Sequence, residues 1–246
     1  VTWEPVAPLE DLQDLDAAIR RQAMGERILQ DNRSDHSDLP DARVDIKRTY
    51  VWPYQMHASI GPSCAVADYQ PGHVRVWSGS QNPHLLRVHL SQLSGLDEEH
   101  IEIIRLQAAG CYGRNCADDV CADALLLSQH AGVPVRVQLS REQEHGWEPK
   151  GAAQLMDVQG SIDAQGNLRH YDFTTHYPSN DGPLLALLLT RKVPALPRSL
   201  QMGDRTAVPP YGYPSQKIVC NDMATIVRAS WLRGVSALPN SFAHDC

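Results

Sequence analysis

Apolar positions recur along the chain with two periods, and each switch between them marks an element. Leu12, Leu15, Ile19 and Ala23 fall at helical spacing with charges between them, which predicts an amphipathic helix over 10–24 whose continuation Gly25 weakens. Residues 31–42 are polar and turn-rich, the pattern of a surface linker or mobile loop, and order resumes near Val44. Residues 74–78 alternate as a strand does. Asn82 then caps a helix that starts at Pro83, carries Leu86, Leu90 and Leu93 on one face and has Gly95 past its end. Residues 101–106 are the next strand and 107–117 a glycine-containing loop. Asp118 or Asp119 opens a helix to about Ala131, with Gly132 as its stop, and 134–139 are a third strand.

Strand, helix, strand, helix, strand implies crossover connections and at least partly parallel pairing. Two alternating runs within 155–176 flank a turn at 163–167, which predicts an antiparallel hairpin. Residues 178–214 hold seven of the 17 prolines with little periodicity, too long for a plain connector and suited to a wall or lid over another surface. The predicted class is α/β with α+β character, a mixed sheet with strand-helix-strand crossovers plus the hairpin. It divides into an N-terminal helix and acidic linker at 1–43 and a main domain at 44–246.

With 42% hydrophobic and 21% charged residues in 246, the chain has the balance of a soluble globular protein. No run approaches the roughly 18 apolar residues of a membrane span, and the stretch Leu-Leu-Ala-Leu-Leu-Leu at 184–189 reads as a core segment. A net charge of −7 argues against nucleic acid, which needs a basic footprint. Acidic residues outnumber basic ones 11 to 5 in residues 1–45, so the remainder is close to neutral. The first residue is Val and no leader pattern follows, so the chain reads as a processed form or a piece of something longer; its compartment, cytoplasmic or periplasmic, is not legible. Six cysteines in a chain of this length read as reduced thiols.

The segment 110–119 (GCYGRNCADD) lies after one strand and before one helix. Glycines at 110 and 113 let backbone amides approach an anion or oxo group, the following helix N-terminus adds its positive end, and Arg114 adds a cation for phosphate; the plainer reading is a connector. Gln81 leaves the same edge of the layer and offers an amide donor to a shared ligand, or else satisfies its own turn. Cys111, Cys116 and Cys121, each separated by four residues, fit neither iron–sulfur nor zinc spacing and read as small buried thiols. His57, His84 and His89 have no clean metal spacing, and no GxSxG elbow, GxGxxG or P-loop appears. Arg233, between an apolar pair and a glycine, can meet a carboxylate or oxyanion with its planar fork, or be an ordinary surface or capping arginine.

Together and in order, these pieces resemble the molybdopterin-binding large subunit of the xanthine dehydrogenase and aldehyde oxidase family. Residues 55–68 (QMHASIGPSCAVAD) resemble its His and Met-Glu-Pro segment, and 78–83 (SGSQNP) its Thr-Gln-x-Pro motif. Gly110–Gly113 (GCYG) resembles its Gly-Gly-Phe-Gly loop, 135–143 (VRVQLSREQ) its Pro-Val-Arg strand with Arg-Glu-Glu, and 231–234 (WLRG) its Phe-Arg-Gly motif. The combination is most similar to the branch holding the isoquinoline 1-oxidoreductase beta subunit and nicotinate dehydrogenase, and it spans about residues 44–246.

The resemblance implies a molybdopterin cofactor, as molybdenum cytosine dinucleotide, in a parent enzyme that hydroxylates an aldehyde or N-heteroaromatic carbon with oxygen from water. Gln81 then matches the glutamine facing a molybdenum oxo ligand and Tyr112 the residue whose backbone amide faces the same group. Gly110, Cys111, Gly113 and Arg114 shape the loop around the cofactor, and Arg233 faces the substrate. It implies an iron–sulfur subunit and a cytochrome c acceptor as partners. The family's general-base glutamate lies beyond the arginine motif and has no match before Cys246, so the chain is expected to be an internal fragment with no catalytic residue or metal ligand of its own, silent alone. Five positions depart from the pattern in three ways: Gly61 stands where many members carry Glu, Val235 and Ser236 replace a small or Pro-Gly pair, and Cys116 and Cys121 replace small residues. The alternative is a non-catalytic binding or interaction domain that retains the fold.

Overall fold

Two sheets account for nearly all the strands: the smaller is sealed on one face by two helices, and the larger has a helix packed on each face. The structure, a computed structural model, describes residues 10–22, 24–33, 44–194 and 198–246. The strands are β1 (Met24–Asp31), β2 (Val44–Trp52), β3 (Cys64–Gln70), β4 (His73–Ser78), β5 (Ile101–Arg105), β6 (Val135–Gln138), β7 (Lys150–Gly151), β8 (Gln154–Ile162), β9 (Leu168–Pro178), β10 (Ser215–Met223) and β11 (Ala229–Ser230). The helices are α1 (Leu15–Arg20), α2 (Pro83–Ser94), α3 (Asp119–Ala131), α4 (Arg141–Trp147), α5 (Leu185–Leu189) and α6 (Ala237–Asp245).

The smaller sheet has the order β5-β4-β3-β6. β4 is parallel to β5, and β3 is antiparallel to both β4 and β6. β4, β5 and β6 therefore run the same way, and the chain leaves all three at one edge. Ala65, Ala67, Val74 and Val76 are buried beneath α2 and α3, whereas Cys64, Val66, Arg75 and Arg136 on the other face retain exposure. Leu86, Leu90 and Leu93 of α2 and Val120 and Leu125 of α3 complete this core, with Leu184 and Leu187 at α5 as its roof. Both crossover helices end as the sequence predicts: Gly95 and Gly132 adopt left-handed φ of 77° and 67°, which costs a glycine nothing, and each N–H closes the last helical turn. Asn82 and Pro83 stand at the α2 start as expected, although the Asn82 side chain makes no capping bond.

The larger sheet has the order β1-β10-β9-β8-β2. β8 and β9 form the predicted hairpin, its turn gathered by Asp163, whose carboxylate accepts from the Gln165 and Asn167 amides and from Arg169. β10 then lies parallel to β9, and α6 covers Met156, Tyr171, Phe173 and Ile218. The proline-rich stretch is irregular around α5 and reaches both cores, through Leu187 in the first and Ala207 and Tyr213 in the second.

The N-terminal segment departs from its pattern. Helix α1 stops at Arg20, and β1 begins where a helix over 10–24 was expected. Leu15 and Ile19 do pack inward, against Leu155 and Met223, but antiparallel pairing with β10 competes successfully for residues 24–31, and a bulge between Ile28 and Gln30 blurs the period-2 signal. Ala23 and the part of the expected linker at 34–43 lie outside the described residues.

Leu90 is fully buried between α2 and the sheet. Leu90→Ala should lower the unfolding free energy by about 3 kcal/mol in denaturant titration; a loss below about 1 kcal/mol would mean that α2 does not seal this core.

Candidate functional site

Because β4 and β5 are parallel neighbours, the turn after one and the loop after the other meet at the same sheet edge. A serine ladder sets the first turn. Ser78 Oγ donates to the Ala117 carbonyl at 3.2 Å and accepts from the Ser80 amide at 3.1 Å, and Ser80 Oγ accepts from the Asn82 amide at 3.1 Å. Gln81 is left exposed on top, and its Oε1 accepts the Gly113 N–H at 3.1 Å. A peptide N–H can only donate, so this bond fixes the amide orientation and turns Nε2 outward as a donor. Among the described residues Nε2 has no protein acceptor.

The loop itself is shaped by left-handed residues: Gly110 at φ 103°, Tyr112 at 59° and Gly113 at 132°. Gly113 forms a bridge with Leu232, the Arg114 N–H donates to the Trp231 carbonyl at 2.7 Å, and the Arg233 N–H donates to the Tyr112 carbonyl at 2.7 Å. A Cβ on residue 113 would sit 2.0 Å from the Trp231 oxygen, so only glycine permits this approach. The Tyr112 ring folds back over Gly110, where a Cβ would come within 2.9 Å of it. The Tyr112 N–H has no protein acceptor among the described residues. Two neutral donors, Gln81 Nε2 and the Tyr112 amide, are thus available at one edge, a donor set suited to an oxo or carbonyl oxygen.

Arg114 does not present a cation to phosphate. Its side chain is 3% exposed beneath the loop. Nε bonds Asp118 at 3.0 Å, Nη1 bonds Asp181 at 3.3 Å and the Gly182 carbonyl at 2.7 Å, and Nη2 reaches His89 Nδ1 at 3.2 Å. The guanidinium also lies over the Trp231 ring. A buried guanidinium holds its place only when paired in this way, so Arg114 braces the loop from below. Cys111 is buried too, its thiol donating to the Gly113 carbonyl at 2.8 Å and pushed above its ordinary pKa by burial. Cys116 and Cys121 are free, buried and likewise raised by burial, as small core thiols should be. Arg233 joins the group through its backbone, while its exposed guanidinium has no carboxylate partner among the described residues.

Three residues missing from the sequence-based candidates, Arg141, Glu144 and Glu148, hold the site's other wall, the segment 57–63. Glu144 is fully buried, and its Oε1 accepts from the Ser63 N–H at 3.1 Å and the Ser63 hydroxyl at 2.7 Å. Arg141 donates to the carbonyls of Ser59 and Ile60, and Glu148 accepts the His57 N–H at 2.8 Å. The two glutamates carry no signal of this in the sequence, and His57 suggests nothing beyond a histidine without clean metal spacing. Beside this wall a cleft of ≈ 340 Å³ is lined by small residues such as Gly61, Gly79 and Ala109 together with Trp77, Leu106 and Arg136.

A model of the molybdopterin cofactor-binding domain family matches residues 26–187. A nicotinate dehydrogenase subunit of Pseudomonas putida is 57% identical over 246 residues, which is all of this chain and 21% of that protein. The chain therefore spans about a fifth of the length of this curated relative. Quinoline 2-oxidoreductase from Pseudomonas putida 86 shares the fold, with a TM-score of 0.65 and 17% identity over 87% of this chain and 26% of its own. Aldehyde oxidoreductase from Desulfovibrio gigas does so at a TM-score of 0.61 and 20% identity, over 90% of this chain and 23% of its own.

Gly113→Ala should cost about 3 kcal/mol or more, since it combines backbone strain with a clash against a main-chain oxygen. Gly132→Ala, where a Cβ meets nothing within 4 Å, should cost only about 1 kcal/mol. Equal losses in denaturant titrations would contradict the close approach of 113 to 231.

Burial and the Arg114 charge hold His89 down at about 4, below its ordinary 6.5. Burial and the Asp119 charge lift Asp123 to about 6, from 3.8. As pH falls from 6.5 to 4, His89 protonates first in the unfolded chain, so the stability it contributes above pH 6.5 is lost. Asp123 protonates first in the folded chain, which acts in the opposite sense from pH 6 to 3.8. His89→Gln should flatten the decline in unfolding free energy between pH 7 and 4, and Asp123→Asn should steepen it. Slopes unchanged in both variants would contradict these environments.

Proposed function

Because this chain belongs to the molybdopterin cofactor-binding domain family, we propose that Gln81 and the loop Gly110, Cys111, Tyr112, Gly113 and Arg114 hold a molybdenum–pterin cofactor in a longer oxidoreductase. The observation that carries this reading is the convergence of three distant segments: Gln81 on the Gly113 amide, Arg114 on the Trp231 carbonyl and Arg233 on the Tyr112 carbonyl. The residues suit such a group. Gln81 Nε2 and the Tyr112 N–H are neutral donors without a protein acceptor among the described residues, and glycine at 113 keeps the loop free of a side chain that would displace it.

When bound, the molybdenum supplies the two-electron redox chemistry that oxidises a carbon atom of the substrate. This chain's residues position and orient. Gln81 Nε2 and the Tyr112 N–H would donate hydrogen bonds to the bound group, and Arg114 would keep the loop from relaxing. Arg233 meets the substrate, and a free guanidinium fits a carboxylate-bearing heteroaromatic ring of the kind that the name of the 57% identical relative denotes. In this reading the reaction adds oxygen from water to an N-heteroaromatic or aldehyde carbon, the cofactor is the cytosine dinucleotide form, and electrons leave through an iron–sulfur subunit to a cytochrome c. The general base is supplied from outside this chain, which alone is inactive. No helix among the described residues is long and apolar enough to cross a membrane.

The full-length protein isolated with its accompanying subunits should contain molybdenum and pterin near stoichiometry by metal and pterin analysis. Gln81→Ala in that protein should lower turnover about tenfold or more while molybdenum content and fold stay intact. Unchanged turnover at full loading would remove Gln81 from its assigned role, and metal-free full-length protein would favour a non-catalytic binding domain.

A further inference from the structure

His57 has no role in the reading above, yet it touches the point where the two cofactor-side segments join. Its side chain is fully buried, and Nε2 lies 2.7 Å from the Trp231 carbonyl oxygen. A carbonyl only accepts, so Nε2 carries the hydrogen. That same oxygen takes the Arg114 N–H, and two residues on, the Arg233 N–H bonds Tyr112. The Trp231 carbonyl is therefore held from both sides, by the cofactor loop and by His57.

The ring is itself held in place. Glu148 at the end of α4 accepts the His57 N–H at 2.8 Å. The next residue, Ala58, is in the left-handed region at φ 49°, an uncommon state for a residue with a side chain. Arg141 grips the carbonyls of Ser59 and Ile60, and Glu144 grips Ser63. Helix α4 thus pins the segment 57–63 along its length, and the ring is delivered to residue 231.

Stability alone does not account for a polar pair at this position. His57 Nδ1 and Glu148 Oε2 are both buried without a hydrogen-bond partner among the described residues. Nδ1 stands 3.9 Å from the other carboxylate oxygen, beyond hydrogen-bond reach. Well-packed apolar side chains would avoid that desolvation cost. Resting on the proposed cofactor site, we propose that His57 is a positioning residue: through Nε2–H it holds the Trp231 carbonyl and so sets the register between the Tyr112 loop and Arg233, fixing where the substrate-facing guanidinium starts from.

The test uses the full-length protein with its natural subunits. His57→Leu should speed hydrogen exchange of the Arg114 and Arg233 amides about tenfold, with β8 and β9 amides unchanged. His57→Gln, whose side-chain N–H₂ reaches a similar distance, should restore slow exchange. Nitrogen NMR of the wild-type protein should show Nε2 protonated. Exchange unchanged in His57→Leu, equally fast in both variants, or an unprotonated Nε2 would each overturn the proposal. In molybdenum-loaded enzyme, His57→Leu should raise KM for a carboxylate substrate more than it lowers kcat, and a fall confined to kcat would count against the role. Absence of molybdenum from the wild-type protein would defeat the cofactor reading, while the exchange data would still decide the clamp on Trp231.

Discussion

The close approach of Gly113 to the Trp231 carbonyl is the constraint on which the site's geometry depends. Nothing larger than a hydrogen fits on the Gly113 Cα at that distance, and the approach lets two main-chain hydrogen bonds join a loop following β5 to a turn near the other end of the chain. Peptide groups have few soft dihedrals, so a contact made through them transmits position more faithfully than one through long side chains. Gln81 reads that position directly, because its acceptor is the Gly113 amide.

Beneath this contact the charges are paired almost one for one. Arg114 faces Asp118 and Asp181, Arg228 binds Asp119 with both nitrogens, and Arg141 binds Glu144. Burial pushes Asp118 upward in pKa, and the Arg114 charge opposes it. For the fully buried Arg114–Asp118 pair, removing one partner costs about 3–5 kcal/mol, because it strands a buried charge, although the intact pair adds little net stability. The network therefore specifies the arrangement of α3, α4 and the 179–184 segment around the loop more than it stabilises the fold.

Elements were legible wherever the signal was local. The start of α2 was written in Pro83, the stops of α2 and α3 in Gly95 and Gly132, and the hairpin in its turn residues, since each depends on nearby neighbours. β1 and β10 were not, because their pairing joins residues nearly two hundred positions apart and leaves no mark on either segment alone. The candidate site divides the same way. Two parallel strands imply that Gln81 and the 110–113 loop share an edge, and motif order supplied Arg233. What holds Arg233 there was hidden, since a backbone hydrogen bond has no side-chain signature. Glu144 and Glu148 were hidden because an acid on or beside a short helix looks solvent-facing until the irregular segment it clamps is known.

The electrostatic arrangement sets what kind of ligand the edge can take. Had Arg114 been free, the loop would have presented a cation beside its amides, the combination that favours phosphate. With Arg114 drawn under the loop by Asp118 and Asp181, the donors left at the surface are neutral: one side-chain amide and one main-chain N–H. Neutral donors stabilise a partial negative charge on an oxygen without fixing a full anion in place, which suits a group whose charge changes during a redox cycle. Positive charge is kept instead at Arg233, displaced from the loop by one pair of backbone bonds. Under the proposed function, this separation would give cofactor and substrate different addresses: the loop for the cofactor, and the turn at 231–234 for an anionic substituent of the substrate. Two backbone hydrogen bonds fix the spacing of the two main-chain segments.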